Sequence, residues 1–371
     1  MINVLHLRDT DRVCGPGKTI IETCSRINKE KYNLYIGIFV RVDEEKNKYQ
    51  AAAEERGITV LPIVMNHKLD LAVVFRLIKI IKRYKIDVLH SHEYKSDIIA
   101  FLAAKLSPIK IVSTAHGWIE NSTKSKMYLR ASKNVLKYFN KVIAVSPKIR
   151  NELLKYKIKE DKCQLIYNAI VIENYVSGAY EKNILRNRYK LDKDDFLIGN
   201  IGRLSKEKGQ KDFVTAATAI AERHENIYFF LIGDGPEKDA LATLINNSGL
   251  QDRIFLTGHY HDIKPVFQDL DAVGLTSYTE GFPNVLLESL IMRKPIFGTD
   301  VGGVRDIIID QETGQLIQPN DIAAITDCME FIINNPDECK HQVTKGVQLI
   351  EERYDFKIRI NKIEKLYSEL F

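Results

Sequence analysis

Paired cysteines and long hydrophobic runs are the two features this sequence most lacks. Its five cysteines, Cys14, Cys24, Cys163, Cys328 and Cys339, form no C-x-x-C pair. That excludes a zinc ribbon and a thioredoxin-like redox motif, and it points to a cytoplasmic chain without a disulfide framework. No apolar run approaches the roughly 18 residues that a membrane span requires. The first run, 4–7, is strand-length and is followed at once by Arg8, Asp9 and Asp11, so neither a secretory leader nor a spanning helix is expected. Solenoid repeats and low-complexity tracts are also absent.

What is present is an ordinary globular composition, 45% hydrophobic and 28% charged, on a chain long enough for two domains. The net charge of +5 conceals an asymmetry. Residues 1–180 carry 31 Lys and Arg against 18 Asp and Glu, whereas the remainder carries 23 against 31. A basic first half on a near-neutral chain implies an anionic partner for that half.

Short apolar runs alternate with helical patterns along the whole chain. Strands are predicted at 4–7, 34–40, 59–63, 87–91, 109–114, 142–145 and 164–167, then at 196–201, 227–232, 254–256, 272–275, 295–298 and 314–317. Helical periodicity is clearest over 71–84, with Leu71, Val74, Phe75, Ile78 and Ile81 as its apolar stripe, and recurs over 127–139. Repeated β-α units imply parallel sheets covered on both faces. The fold class is therefore α/β, with two Rossmann-like domains at 1–177 and 196–354 joined by the polar stretch 177–195, and a last helix at 355–371. Ligands of such sheets lie beyond the carboxyl ends of the strands, so the site is expected in a cleft between the two.

The loops at those ends carry the chemistry. Glu280-Gly281-Phe282-Pro283-Asn284-Val285-Leu286-Leu287-Glu288 places two carboxylates across a strand-to-helix junction. Pro283 suits the first helical turn, Asn284 and Glu288 share a helical face, and the free amides of the helix start suit a phosphate. Taken alone, the same acids also fit a solvated loop and a solvated helix face. Arg203 and Lys208, in the loop after 196–201, offer a planar fork and a point charge for phosphate oxygens. Gly233, in Gly233-Asp234-Gly235-Pro236, and Gly302-Gly303 supply tight turns, and His259 offers backbone contacts to a base. In the first half, Gly15 and Gly17 open a helix after the first strand. A nucleotide-triphosphate P-loop would need glycine where Arg12 stands, so an anion-approaching turn or a plain turn is the reading there. His116 ends a strand before Gly117. His90 and His92 end the strand before it, but no third ligand at convincing spacing supports zinc, and Asp269 and Asp271 read as a helix end. No metal is expected.

Together these residues resemble glycosyltransferase family 4, the retaining, sugar-nucleotide-dependent enzymes of GT-B fold. The resemblance covers nearly the whole chain in order: Gly15–Gly17, Ser113 to Gly117, Ala144-Val145-Ser146, Tyr167-Asn168-Ala169, Gly202-Arg203-Leu204 with Lys208-Gly209, Gly233 to Pro236, Glu280 to Glu288, and Gly302-Gly303. Asn168-Ala169 departs from the usual Asn-Gly, and Pro283 stands where many members have glycine. The resemblance implies that Arg203 and Lys208 neutralise the donor diphosphate, helped by amides near Gly17 and at Val285 and Leu286. Gly233, His259, Gly281, Phe282 and Asn284 complete the donor site. It further implies that Glu280 accepts from sugar hydroxyls, Glu288 holds the ribose, His116 meets the sugar or acceptor hydroxyl, and the last helix crosses back onto the first domain. The activity implied is transfer from a nucleotide-sugar, expected to be a UDP-sugar, to a glycan or lipid-linked acceptor, without cofactor. A sugar-nucleotide epimerase of the same fold and a silent binding or scaffold subunit are the rival readings.

Two basic clusters bear on partners. Lys124, Lys126, Arg130, Lys133, Lys137 and Lys141 punctuate one helical segment, and Lys79, Lys82, Arg83 and Lys85 end another. Both fit solvated faces or an anionic membrane surface. Nucleic acid is not expected, because no aromatic-basic interleaving or binding module is seen.

Overall fold

The computed structural model describes residues 1–371 apart from 11–14, 42–46, 68–69, 118–122, 177 and 179 and the side chains of 123–128. Arg12 and Cys14, and the side chains of Lys124, Lys126 and Met127, thus lie outside the described residues. Cys24, Cys163, Cys328 and Cys339 are buried free thiols.

The chain divides into two compact units. The first comprises Met1–Asn168 with Lys357–Phe371, the second Ala169–Phe356. In the first, strands β1 (Ile2–Arg8), β2 (Tyr32–Arg41), β3 (Val60–Met65), β4 (Val88–Ser91), β5 (Lys110–Ala115), β6 (Lys141–Ala144) and β7 (Cys163–Leu165) form a sheet of order β3-β2-β1-β4-β5-β6-β7. Its pairings are parallel. The order reverses between β1 and β4, which makes that pair the switch point where ligands of such sheets gather. Helices cover both faces, so the strands read as apolar runs rather than alternating ones.

Helix ends follow local chemistry. Ser146, just past β6, accepts from the Ile149 amide to cap the helix Pro147–Lys155, whose proline stands in the first turn. Glu93 and Ser96 form a reciprocal capping box on the helix Tyr94–Lys105. The segment expected as a helix at 127–139 begins earlier, at Thr123, and tightens after Val135 into a 3-10 turn.

The helix Ala72–Arg83 turns a different face inward than its periodicity implied. Val73, Val74, Leu77 and Ile81 are buried, whereas Leu71 and Phe75 are 73% and 63% exposed. A five-member apolar stripe is wider than one sheet face can cover, and the sheet took its Val73 side. The last helix, Phe356–Ser368, brings Ile363, Leu366 and Tyr367 into the first unit's core. There the Asn28 amide donates to Glu364 Oε1 at 2.9 Å, and Tyr32 Oη donates to the Glu364 carbonyl at 2.8 Å.

In the second unit, β8 (Phe196–Ile201), β9 (Ile227–Ile232), β10 (Ile254–Gly258), β11 (Ala272–Leu275), β12 (Ile296–Thr299) and β13 (Gln315–Ile317) pair in the order β10-β9-β8-β11-β12-β13. This parallel sheet has its switch point between β8 and β11. Residues from 169 onward, placed with the first domain by pattern, cluster here: the Ile170 amide donates to the Tyr354 carbonyl, and the Phe356 amide to that of Ile170, both at 2.9 Å. The stretch 177–195 is not a bare linker, since it contains the helix Ile184–Tyr189. Asp269 accepts from the Asn183 and Leu185 amides at 2.6 Å, and Asp271 from the Leu197 amide at 2.8 Å. Those two carboxylates hold backbone, as their helix-end reading requires.

Candidate functional site

The β8–β11 switch point is where the second unit concentrates its charge. Lys208 Nζ lies 2.6 Å from Glu280 Oε1, and Ser277 Oγ donates to the same oxygen at 2.7 Å. The Glu280 side chain is only 8% exposed. A buried carboxylate requires such partners, because an uncompensated one costs several kcal/mol.

Three loops hold that pair in place. Thr276 Oγ1 donates to the Gly209 carbonyl at 2.9 Å, and the Tyr278 amide to that of Glu207 at 2.8 Å, so the β8 loop is laced to the β11 loop. Gly209 has φ +61°, and a Cβ there would lie 2.0 Å from the Thr276 carbonyl oxygen. On the other side, Gly302 has φ +59°, and a Cβ would lie 1.8 Å from the Glu280 carbonyl oxygen. The Gly303 amide donates to the Gly281 carbonyl at 3.0 Å. The double glycine is therefore more than a turn: it lets β12's loop press against the backbone that aims Glu280.

The other predicted donor-site residues line the same sheet end in part. Arg203 is exposed in the β8 loop, and among the described residues its guanidinium makes no ion pair; its carbonyl accepts from Gln210 Nε2 at 2.9 Å. Gly233 packs against the Gly202 carbonyl and donates its amide to that of Gly258. His259 is exposed just past β10. Phe282 is a core side chain, its ring 5.2 Å from that of Tyr354. The helix that follows is Asn284–Ile291, without a side-chain cap. Pro283 precedes it rather than filling its first turn, because its ψ of 106° is extended. The Leu286 amide closes on the Pro283 carbonyl at 3.2 Å, while Val285 stays within the opening turn. Asn284 Oδ1 is buried without a hydrogen-bond partner among the described residues. Glu288 is buried and accepts from Tyr175 Oη at 2.9 Å. Ser277 and Tyr175 escaped the sequence reading because neither stands in a recognisable motif.

The first unit's switch point is built from imidazole. His6 on β1 pairs in register with His90 on β4, and His92 lies two residues beyond His90. All three project from one face. Their ligating nitrogens lie within 4.8 Å of one another, so the third histidine that the sequence did not offer comes from a separate strand. His116, just after β5, extends the stack, its ring 5.6 Å from that of His92. Burial pushes His6 down to about 3, with Arg359 adding to it, and holds His90, His92 and His116 well below the usual imidazole range. The rings are neutral at pH 7. Beside them Arg8 meets Glu93 at 3.3 Å, and burial raises that carboxyl to about 7. Gly15 and Gly17 stand inside the first turn of the helix Gly15–Arg26 rather than in a turn before it.

The basic cluster of residues 124–141 is not wholly a free patch. Lys133 is buried with its Nζ 4.0 Å from the Tyr156 ring centroid, and Lys141 pairs with Glu369 at 3.4 Å.

Residues 181–348 match the family described as Glycosyl transferases group 1, and residues 15–174 match Glycosyltransferase Family 4. An alpha-D-kanosaminyltransferase of Streptomyces kanamyceticus is 31% identical over 188 residues, spanning 50% of this chain and 48%, about half, of that protein. A UDP-Gal:alpha-D-GlcNAc-diphosphoundecaprenol alpha-1,3-galactosyltransferase of Escherichia coli is 24% identical across 81% of this chain and 80% of its own. Among solved structures, Anabaena HepE in complex with UDP and glucose superposes with a TM-score of 0.87 at 20% identity, covering 99% of this chain and all of that one.

Proposed function

The chain belongs to the family 4 glycosyltransferases of GT-B fold, and from that premise we propose that it moves a sugar from a UDP-sugar to a glycan or lipid-linked acceptor, with retention at the anomeric carbon, in building a cell-surface polysaccharide or glycolipid. The observation that carries this reading is the Lys208–Glu280 pair at the second sheet's switch point. Lys208 and the open guanidinium of Arg203 take the diphosphate charge, beside the uncapped start of the helix Asn284–Ile291. Glu280, whose Oε1 is engaged, receives sugar hydroxyls at Oε2, and Glu288 with Tyr175 receives the ribose. Val285 offers its amide to the phosphates. His116 meets a sugar or acceptor hydroxyl. The named relatives support the substrates: one is named for UDP-galactose and a diphosphoundecaprenol acceptor, and one was solved with UDP and glucose.

In the reaction the bond between the anomeric carbon and the leaving phosphate oxygen breaks as the acceptor oxygen bonds to the same face, and the acceptor's proton passes to the leaving diphosphate. Charge growing on that diphosphate is met by two preorganised cations and a helix start, without a metal or cofactor. Trapping a glycosyl adduct on Glu280 would overturn the front-face route. The surface of the helix Ala72–Arg83 suits the acceptor's setting. Leu71 and Phe75 are exposed one turn apart, beside Lys79, Lys82 and Arg83, the chemistry of an anionic membrane contact.

Thermal melts with UDP-, GDP- and ADP-sugars test the donor. A ligand at 100 times its Kd stabilises the fold by about 2.7 kcal/mol, so a rise with the UDP-sugar is expected, and no rise with any of them contradicts the reading. Release of UDP only when acceptor is added separates the transferase from an epimerase or a silent binding subunit.

A further inference from the structure

The imidazoles of the first unit form a continuous hydrogen-bonded series. Thr114 Oγ1 meets His90 Nε2 at 2.7 Å, and His90 Nδ1 meets Tyr367 Oη at 2.7 Å. Tyr367 Oη meets His6 Nε2 at 3.3 Å, His6 Nδ1 meets His92 Nε2 at 2.9 Å, and His92 Nδ1 meets His116 Nε2 at 3.3 Å. Every nitrogen of the four rings is used except His116 Nδ1, which is buried without a partner among the described residues.

A neutral imidazole has one N–H and one lone pair, so fixing one ring fixes the next. Tyr367 has a single hydroxyl proton and two histidine neighbours, so it passes the direction on rather than breaking it. The series therefore has two self-consistent directions. If protons point from His116 toward Thr114, the Thr114 hydroxyl, which is 1% exposed, must donate elsewhere, and among the described residues its Oγ1 meets only His90. Two ends are then loose, that O–H and the His116 Nδ1 lone pair. If protons point from Thr114 toward His116, every interior group is satisfied and only the His116 Nδ1–H is left over. A buried unmade hydrogen bond costs about 1–3 kcal/mol, which favours the second direction.

We propose that Thr114, His90, Tyr367, His6 and His92 are positioning residues that lock His116 in the Nδ1–H tautomer, so that it donates a hydrogen bond to an oxygen of the bound sugar or acceptor. The assignment of a sugar oxygen rests on the function proposed above; the tautomer does not. The four rings stay neutral, since burial and the Arg8 and Arg359 cations oppose protonation. The same geometry argues against a cation among His6, His90 and His92. The nitrogens that would ligate are those already joined, and two arginines supply the wrong charge.

The test is a long-range 1H–15N spectrum of the full chain labelled at histidine, at pH 7.5. In the wild type, His116 is expected to show a protonated Nδ1 and an unprotonated Nε2. Thr114→Val removes the first donor at nearly constant volume, and Tyr367→Phe removes the hinge hydroxyl. Each should shift His116 toward the opposite tautomer and lower kcat about fivefold to tenfold, the worth of one hydrogen bond, with donor KM little changed. An unprotonated Nδ1 in the wild type overturns the proposal, as does a His116 spectrum unmoved by both variants, or tight stoichiometric zinc binding at the three histidines. If instead the spectra behave as expected but His116→Ala retains full turnover, the relay stands and the proposed role of His116 in transfer fails.

Discussion

The two sheets share one construction and end in opposite chemistry. Each is parallel and reverses its order once, between β1 and β4 in the first and between β8 and β11 in the second. At the first reversal stand stacked, neutral imidazoles; at the second stand a lysine, a carboxylate and an exposed guanidinium. The unit richer in basic residues thus lines its reversal with neutral rings, Arg8 and Arg359 standing beside them, and the acidic unit puts a lysine and an arginine at its own. Net charge describes a surface; the charge that meets a ligand is set by which side chains a strand end turns inward.

The comparison breaks first at the second unit. Lys208→Ala and Glu280→Ala should each lower turnover roughly 10²-fold, the cost of one preorganised electrostatic group, while His116→Ala, which removes one neutral contact, costs less. Equal losses at all three, or wild-type rates in both charge variants, would remove the distinction.

A second difference concerns acid. A histidine held neutral by burial has a folded pKa below its unfolded one, so its stability is intact above about 6.5 and is lost as pH falls below that. His6, His90 and His92 should each withdraw about 1.4 kcal/mol per pH unit in that range. Glu93 acts in the opposite sense: raised to about 7, its carboxyl favours the fold below that pH and partly offsets one histidine. Urea unfolding at pH 7.5, 6.5 and 5.5 should show the first unit weakening and the second nearly constant; parallel weakening would deny that the histidines are its cause.

The smallest effect lies at the surface. Leu71→Ser with Phe75→Ser should reduce flotation with anionic liposomes severalfold and leave turnover on a soluble acceptor unchanged. Retained flotation would move the membrane contact elsewhere.

Much of this was legible in the chain. Thirteen apolar runs fell on thirteen strands among the described residues, because strands of a parallel sheet buried beneath helices are largely apolar. Lys208 and Glu280 were legible because glycines and helix starts mark the loops that carry them. Other features were not. His6 joins His90 only through β1–β4 pairing, which no local pattern encodes. Phe75 and Lys133 exchanged the expected inside and outside, since periodicity gives a stripe's width but not which edge the sheet covers. Tyr175 and Tyr367 reach their carboxylate and imidazole partners from more than a hundred residues away.

The most direct measurement is calorimetric titration of UDP into the wild-type chain, Arg203→Ala and Lys208→Ala. If the cations at the β8–β11 reversal grip the diphosphate, each variant should bind UDP at least about tenfold more weakly, a loss of roughly 1.4 kcal/mol. Unchanged affinity in both variants would contradict the account.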